Sequence, residues 1–152
     1  MKRGELRATI VRGLLIAVGA LPLVPRLLAR TPAADLFMCW FRFQCQRDPA
    51  RTLSVFGQAL PVCARCSGIY LGAALGALIL RPRLEPRELR LWLAVASALM
   101  LADVLSEVFA LRPAWAPLRV VSGALLSYPV GAALVHAARK RWPGAPEPTR
   151  LA

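Results

Sequence analysis

The sequence predicts an all-α integral membrane protein, a bundle of about four transmembrane helices, and three observations carry that expectation. Hydrophobic residues make up 57% of the 152 positions and charged residues only 18%, against about 25% charged in an ordinary soluble domain. The apolar residues fall in long blocks of Leu, Ala, Val and Gly, which suits helices in lipid. Basic residues bracket those blocks: Lys2, Arg3, Arg7 and Arg12 at the start, Arg81, Arg83, Arg87 and Arg90 in the middle, Arg139, Lys140 and Arg141 at the end.

That bracketing decides how the charge is read. The chain has 20 Lys and Arg against 8 Asp and Glu, a formal charge of +12. A basic balance can mark nucleic-acid binding, but flanking Arg and Lys that meet lipid headgroups and set orientation account for it better. The expected partner is the lipid bilayer, with no nucleic acid.

Taken in order, residues 1–10 read as a basic tail, 11–138 as the membrane domain and 139–152 as a basic, Pro-rich disordered tail. The first block, 11–29, contains Pro22 and Pro25. It shares features with a signal peptide but lacks a small-x-small cleavage site, so a retained, kinked helix is expected. Residues 31–66 form a cysteine-bearing loop. Within it, 35–45 reads as an interfacial helix or a continuation of the first, and Asp48-Pro49 as a turn.

The second block is 61–80, with Pro61 as its expected start. Gly68, Gly72 and Gly76 recur at four-residue spacing, so one helix face is nearly bare and another backbone can approach it closely. That face is a candidate homo-oligomer or membrane-partner surface. Residues 81–87 read as a tight charged loop, 91–111 as the third block and 118–138 as the fourth. Trp92, Trp115 and Trp142 stand near the block ends, as interfacial belt residues do.

With four spans, both termini share a side. The twelve basic residues Lys2, Arg3, Arg7, Arg12, Arg81, Arg83, Arg87, Arg90, Arg139, Lys140, Arg141 and Arg150 lie there, against eight on the other: Arg26, Arg30, Arg42, Arg47, Arg51, Arg65, Arg112 and Arg119. The rule that basic loops stay inside then predicts cytoplasmic termini.

The polar residues converge on the opposite face whichever way the bundle is inserted. The second helix begins there with Cys63, Arg65 and Cys66. The third ends there, placing Asp103 about 12 Å deep and Glu107 about 6 Å deep, four residues apart on one face. The fourth starts there with Arg119. Buried acids cost roughly 2.5–3.5 kcal/mol on insertion scales and find partners; Arg119 or Arg65 is the expected counter-ion of Asp103. A helix-packing salt bridge, a substrate, ion or proton site, and a merely interfacial Glu107 all fit the pattern.

All four cysteines, Cys39, Cys45, Cys63 and Cys66, fall in this same region. Cys63 and Cys66 have the Cys-x-x-Cys spacing that chelates one metal ion or closes a disulfide, and Cys39 and Cys45 could complete a four-sulfur zinc site. Arg47, Arg51 and Arg65 would lower thiol pKa values. Metal, disulfide and unpaired thiols therefore stay open. His136, near the opposite end, reads as an interfacial residue.

The stretch Cys45-Gln46-Arg47-Asp48-Pro49-Ala50-Arg51-Thr52-Leu53, then Phe56-Gly57, then Leu60-Pro61-Val62-Cys63-Ala64-Arg65-Cys66-Ser67-Gly68-Ile69-Tyr70-Leu71-Gly72 resembles the membrane proteins grouped as domain of unknown function 2085 (DUF2085). That family shows Cys-His-Gln, then Val-Cys-x-Arg-Cys-Thr-Gly-Ile-Tyr-x-Gly, an Asp in the third helix, and Arg-x-x-Thr-Gly opening the fourth. Asp103 and Arg119-Val120-Val121-Ser122-Gly123 match the last two, and the likeness covers about residues 35–130. It implies a small, multi-spanning protein of a bacterial inner membrane and no particular activity. The family's His is Gln46 here, so a Cys₃His site would lose a ligand that Cys39 could replace with sulfur.

Three functional readings follow. The first is a metal-thiolate site at the outer face, holding zinc in a structural role. The second is a transport or channel component using Asp103, Glu107 and Arg119. The third is a membrane thiol-disulfide oxidoreductase using Cys63 and Cys66. No HExxH, GxSxG or glycine-rich phosphate loop points to a hydrolase or nucleotide enzyme, and whether the chain is an enzyme is left open.

Overall fold

In a computed structural model the described residues are 3–28, 31–45, 48, 51–55, 57–78, 85–113 and 115–139. Six helices and one hairpin follow in order: α1 (Arg3–Ala20), a 3₁₀ turn (Leu21–Leu23), α2 (Val24–Leu27), α3 (Pro32–Gln44), β1 (Thr52–Val55), β2 (Gln58–Cys63), α4 (Ala64–Leu78), α5 (Pro86–Val108) and α6 (Ala116–Arg139). The chain is a multi-span helical membrane protein. Gly4–Leu23, α5 and α6 each have the length and apolarity to cross a membrane. α4 has 15 described residues, about 22 Å at the helical rise, and packs against both α1 and α6.

The α4–α6 pair is the centre of the bundle, because the small residues of both helices interlock. A Cβ on Gly68, Gly72 or Gly76 would strike the α6 backbone at Val120, Ala124 and Tyr128, and one on Gly123 or Gly131 would strike α4 at Arg65 and Ala73. In hydrocarbon, where apolar burial gives helices little drive to associate, such backbone proximity supplies much of the packing energy. The bare glycine face expected to suit a partner is thus filled by α6 of the same chain. Around this pair the outer surface is oily: Leu14, Leu75, Leu91, Val95, Leu99 and Leu101 are all exposed, as lipid-facing positions should be.

Several boundaries differ from those expected. α1 starts at Arg3, so residues 3–10 belong to the first helix and not to a tail, and Ala8 is buried against Ala77 and Val135. The helix gives way at Leu21–Leu23, where Pro22 and Pro25 each remove an amide donor. α5 starts at Pro86, sealed by a reciprocal capping box between Glu85 and Glu88. Residues 79–84, most of the expected charged loop, lie outside the described residues, as do Trp142 and the rest of 140–152.

Two helix carbonyls accept from side chains of neighbouring helices. Pro129 inside α6 has no amide to offer Leu125, and the Leu125 carbonyl accepts instead from Trp92 Nε1 at 3.0 Å. Trp92 thereby ties α5 to α6 and is more than a belt residue. Near the end of α4, the Ala77 carbonyl accepts from Arg12 Nε at 2.9 Å.

The region 51–63 departs most from expectation. It is an antiparallel hairpin pairing Thr52 with Cys63, Ser54 with Ala59 and Val55 with Gln58, turning at Gly57 with φ +76°. Pro61 lies in β2, not at a helix start, and Leu60, Pro61 and Val62 are buried. The alternation of Leu53 and Val55, then Leu60 and Val62, was the available signal for it.

Candidate metal centre

Three elements end at one point, and each delivers a cysteine. Phe41, fully buried in α3, packs edge-on against Tyr70 of α4 with ring centroids 6.2 Å apart, and the Tyr70 hydroxyl donates to Gln44 Oε1. These contacts hold the end of α3 against α4, and the chain leaves the helix at Cys45 in an extended conformation. β2 ends at Cys63, and the first turn of α4 carries Cys66. The sulfurs of Cys45, Cys63 and Cys66 all lie within 4.8 Å of one another. Sulfurs sharing a tetrahedral zinc ion sit about 3.8 Å apart, given Zn–S bonds of about 2.3 Å, so the cluster can coordinate a metal ion after a small inward shift.

The local electrostatics favour a thiolate at Cys63 and oppose one at Cys66, whose thiol is pushed up chiefly by its hydrogen bond to Cys63 and by burial. The Cys63 amide donates to Cys45 Sγ at 3.2 Å. The Cys63 thiol is pulled down to about 5, chiefly by a hydrogen bond from the Cys66 side chain; the Cys66 and Arg65 amides and Cys45 add to this, against the opposing effect of burial. Nearby, Arg65 Nε and Ser67 Oγ are buried without a hydrogen-bond partner, leaving donors for a further ligand. None of the cysteines is in a disulfide.

Cys39 is placed differently. It is exposed on α3, six residues before Cys45 and therefore about 9 Å back along the helix, and among the described residues the group able to share an ion is Cys45, Cys63 and Cys66. Gln46 and Arg47, the position of the family histidine and a basic neighbour, lie outside the described residues. Arg51 is paired with Asp48 at 3.1 Å. His136 is half-buried in the last turn of α6, far along that helix from Arg119.

Arg65, between Cys63 and Cys66, belongs to a second cluster. It contacts Asp103 at 2.5 Å and Glu107 at 3.7 Å. Arg112 also pairs with Asp103 and approaches Glu107 at 3.9 Å. Arg119 grips both oxygens of Glu107, its Nε at 2.6 Å. Side-chain exposure is 3% for Asp103, 7% for Glu107 and 3% for Arg119, so every pair compensates real desolvation.

Of the two counter-ions expected for Asp103, Arg65 is the one that meets it. Asp103 takes Arg65 and Arg112, and Arg119 goes to Glu107, one helical turn nearer the end of α5. Arg112 lies four residues beyond the end of α5. α5 closes with a 6→1 bond from the Leu111 amide to the Ser106 carbonyl and a 5→2 bond from Ala110 to Glu107, with Ala110 at φ +53°. This turn folds the chain back, so Arg112 Nε donates to Ser106 Oγ at 2.8 Å and its guanidinium reaches Asp103. An Ala in that conformation carries no sequence signal comparable to a glycine.

A multi-span helical membrane protein with a three-cysteine cluster wired to buried ion pairs is the class these features define. The chain belongs to the family described as "Predicted membrane protein (DUF2085)", whose pattern matches residues 45–133, the span holding the hairpin, the cluster and the Arg–acid network. It is similar to an uncharacterised protein of Methanothermobacter thermautotrophicus, 61% identical over 33 residues that make up 22% of this chain and 30% of the relative. It is also similar to an uncharacterised protein of Methanocaldococcus jannaschii, 30% identical over 90 residues, 57% of this chain and 58% of the relative. The chain thus spans less than two thirds of either curated relative. No solved structure matches it.

Proposed function

We propose that this is a membrane metal-thiolate protein, in which Cys45, Cys63 and Cys66 hold a thiophilic ion, zinc foremost, at the outer face of the inner membrane. The observation that carries the reading is the convergence of three sulfurs from three separate elements. Fully ion-paired Asp103 and Glu107 favour a packing and electrostatic role over a polar transport route. With Cys39 apart, the described residues offer three sulfurs, and we read the fourth position as open to an exchangeable ligand. Three protein ligands plus an open position is the pattern of sites that exchange or activate a ligand, whereas four protein ligands mark structural sites.

Protein purified in mild detergent under reducing conditions should contain about one metal ion per chain. Its thiols at Cys45, Cys63 and Cys66 should resist alkylation until a chelator is added. Metal-free protein with a Cys63–Cys66 disulfide would instead support the thiol oxidoreductase reading, which the depressed Cys63 thiol also favours.

A further inference from the structure

The cysteine cluster and the ion-pair network are adjacent parts of one end of the bundle. Arg65 is a member of both, flanked by Cys63 and Cys66 and bonded to Asp103. Gly123 of α6 lies against the Arg65 backbone and Gly68 against Val120, which sets Arg119 level with the first turn of α4. Their charges can be compared directly. Three arginines face two carboxylates, so the network carries one net positive charge in a largely buried setting. The nearby Arg51–Asp48 pair is neutral. Three thiolates around a divalent ion carry one net negative charge. Around a monovalent ion they carry two, so the two complexes respond differently to a charge beside them.

We propose that the Arg65–Arg112–Arg119 and Asp103–Glu107 network tunes which ion the sulfurs hold through its net charge, each added positive charge weakening a divalent cation more than a monovalent one. This rests on the metal-thiolate reading of the cysteines. It makes Asp103, Glu107 and Arg112 selectivity residues that touch no metal. A unit charge about 10 Å away at an effective dielectric of about 20 changes a binding constant on the order of ten-fold.

The test uses the full chain in mild detergent, kept reduced, with Co²⁺ as the divalent probe and Ag⁺ as the monovalent one, and reads the ratio of their affinities by competition. Asp103→Asn raises the network charge by one and should move the ratio about ten-fold toward Ag⁺. Arg112→Gln lowers it by one and should move the ratio the other way, while Arg112→Lys keeps the wild-type ratio. Glu107→Gln should shift toward Ag⁺ as Asp103→Asn does, and serves in its place if that variant loses its helical circular dichroism. Unchanged ratios, or shifts of one sign in all variants, overturn the charge-selection proposal alone. A wild-type protein that binds neither ion overturns the metal-thiolate reading and this proposal with it.

Discussion

Arg65 donates to the carboxylate of Asp103 at 2.5 Å across 38 residues of chain, while its own backbone stands between two cysteines of the sulfur cluster. One residue thus fixes the start of α4 against the end of α5 and sets a positive charge beside the sulfurs.

The pairing pattern can be read by double-mutant cycles. Glu107→Gln with Arg119→Gln, and Asp103→Asn with Arg65→Gln, should be non-additive in detergent unfolding by about 1–3 kcal/mol, whereas Asp103→Asn with Arg119→Gln should be nearly additive. Each single change strands a buried charge and should cost about 3–5 kcal/mol. Strong coupling between Asp103 and Arg119 would contradict the geometry.

The cysteines divide three to one. Cys45→Ser, Cys63→Ser and Cys66→Ser should each abolish stoichiometric metal, measured by elemental analysis. Cys39→Ser should leave one ion per chain, because that thiol is exposed on α3 away from the group. Loss of metal in Cys39→Ser would bring back the four-sulfur site.

Metal-free, reduced protein should hold Cys63 as thiolate at neutral pH. Cys63 has its pKa lowered from 9.0 to about 5, so thiolate absorbance should persist down to that region and vanish below it. The stability this contributes is complete above the ordinary thiol value and is lost as pH falls through about 5. A protein whose thiolate signal appears only near pH 9 would sink the assignment.

Glycine substitutions should separate the helix seam from the lipid face. Gly72→Val has no room against Ala124 and Ser127, and should destabilise the bundle by several kcal/mol. Nothing lies near a Cβ at Gly13, so Gly13→Ala should be neutral or stabilise by up to about 1 kcal/mol. Thermal unfolding of the two variants side by side decides it.

Both chain ends should face the cytoplasm. Arg139 lies 3.9 Å from Glu5, which puts the start of α1 and the end of α6 at one end of the bundle, opposite the cysteines. Reporters fused after Arg83 and after Ala152 should both read cytoplasmic, as the basic bias requires. A periplasmic signal at either position is incompatible with this orientation.

Much of the architecture was legible because it depends on composition and period alone. Long apolar blocks mean membrane helices, glycines four apart mean a close helix contact, and acids within an apolar helix mean buried partners. The Cys-Ala-Arg-Cys-Ser-Gly-Ile-Tyr run identified the family. The hairpin was harder to see because each strand is short and β2 contains Pro61, a residue that reads as punctuation.

By itself, then, the sequence determined the helical membrane class, the end of the bundle where charge and sulfur gather, and the family. Only the tertiary structure decided which acid meets which arginine, that Arg112 turns back to join them, that Cys39 stands apart while Cys45 joins Cys63 and Cys66, and that α6 fills the glycine face. The physical reason is that composition and spacing are properties of one segment. Pairing depends on the relative rotation and depth of several helices, and on a single left-handed residue, Ala110, whose turn no local pattern announces.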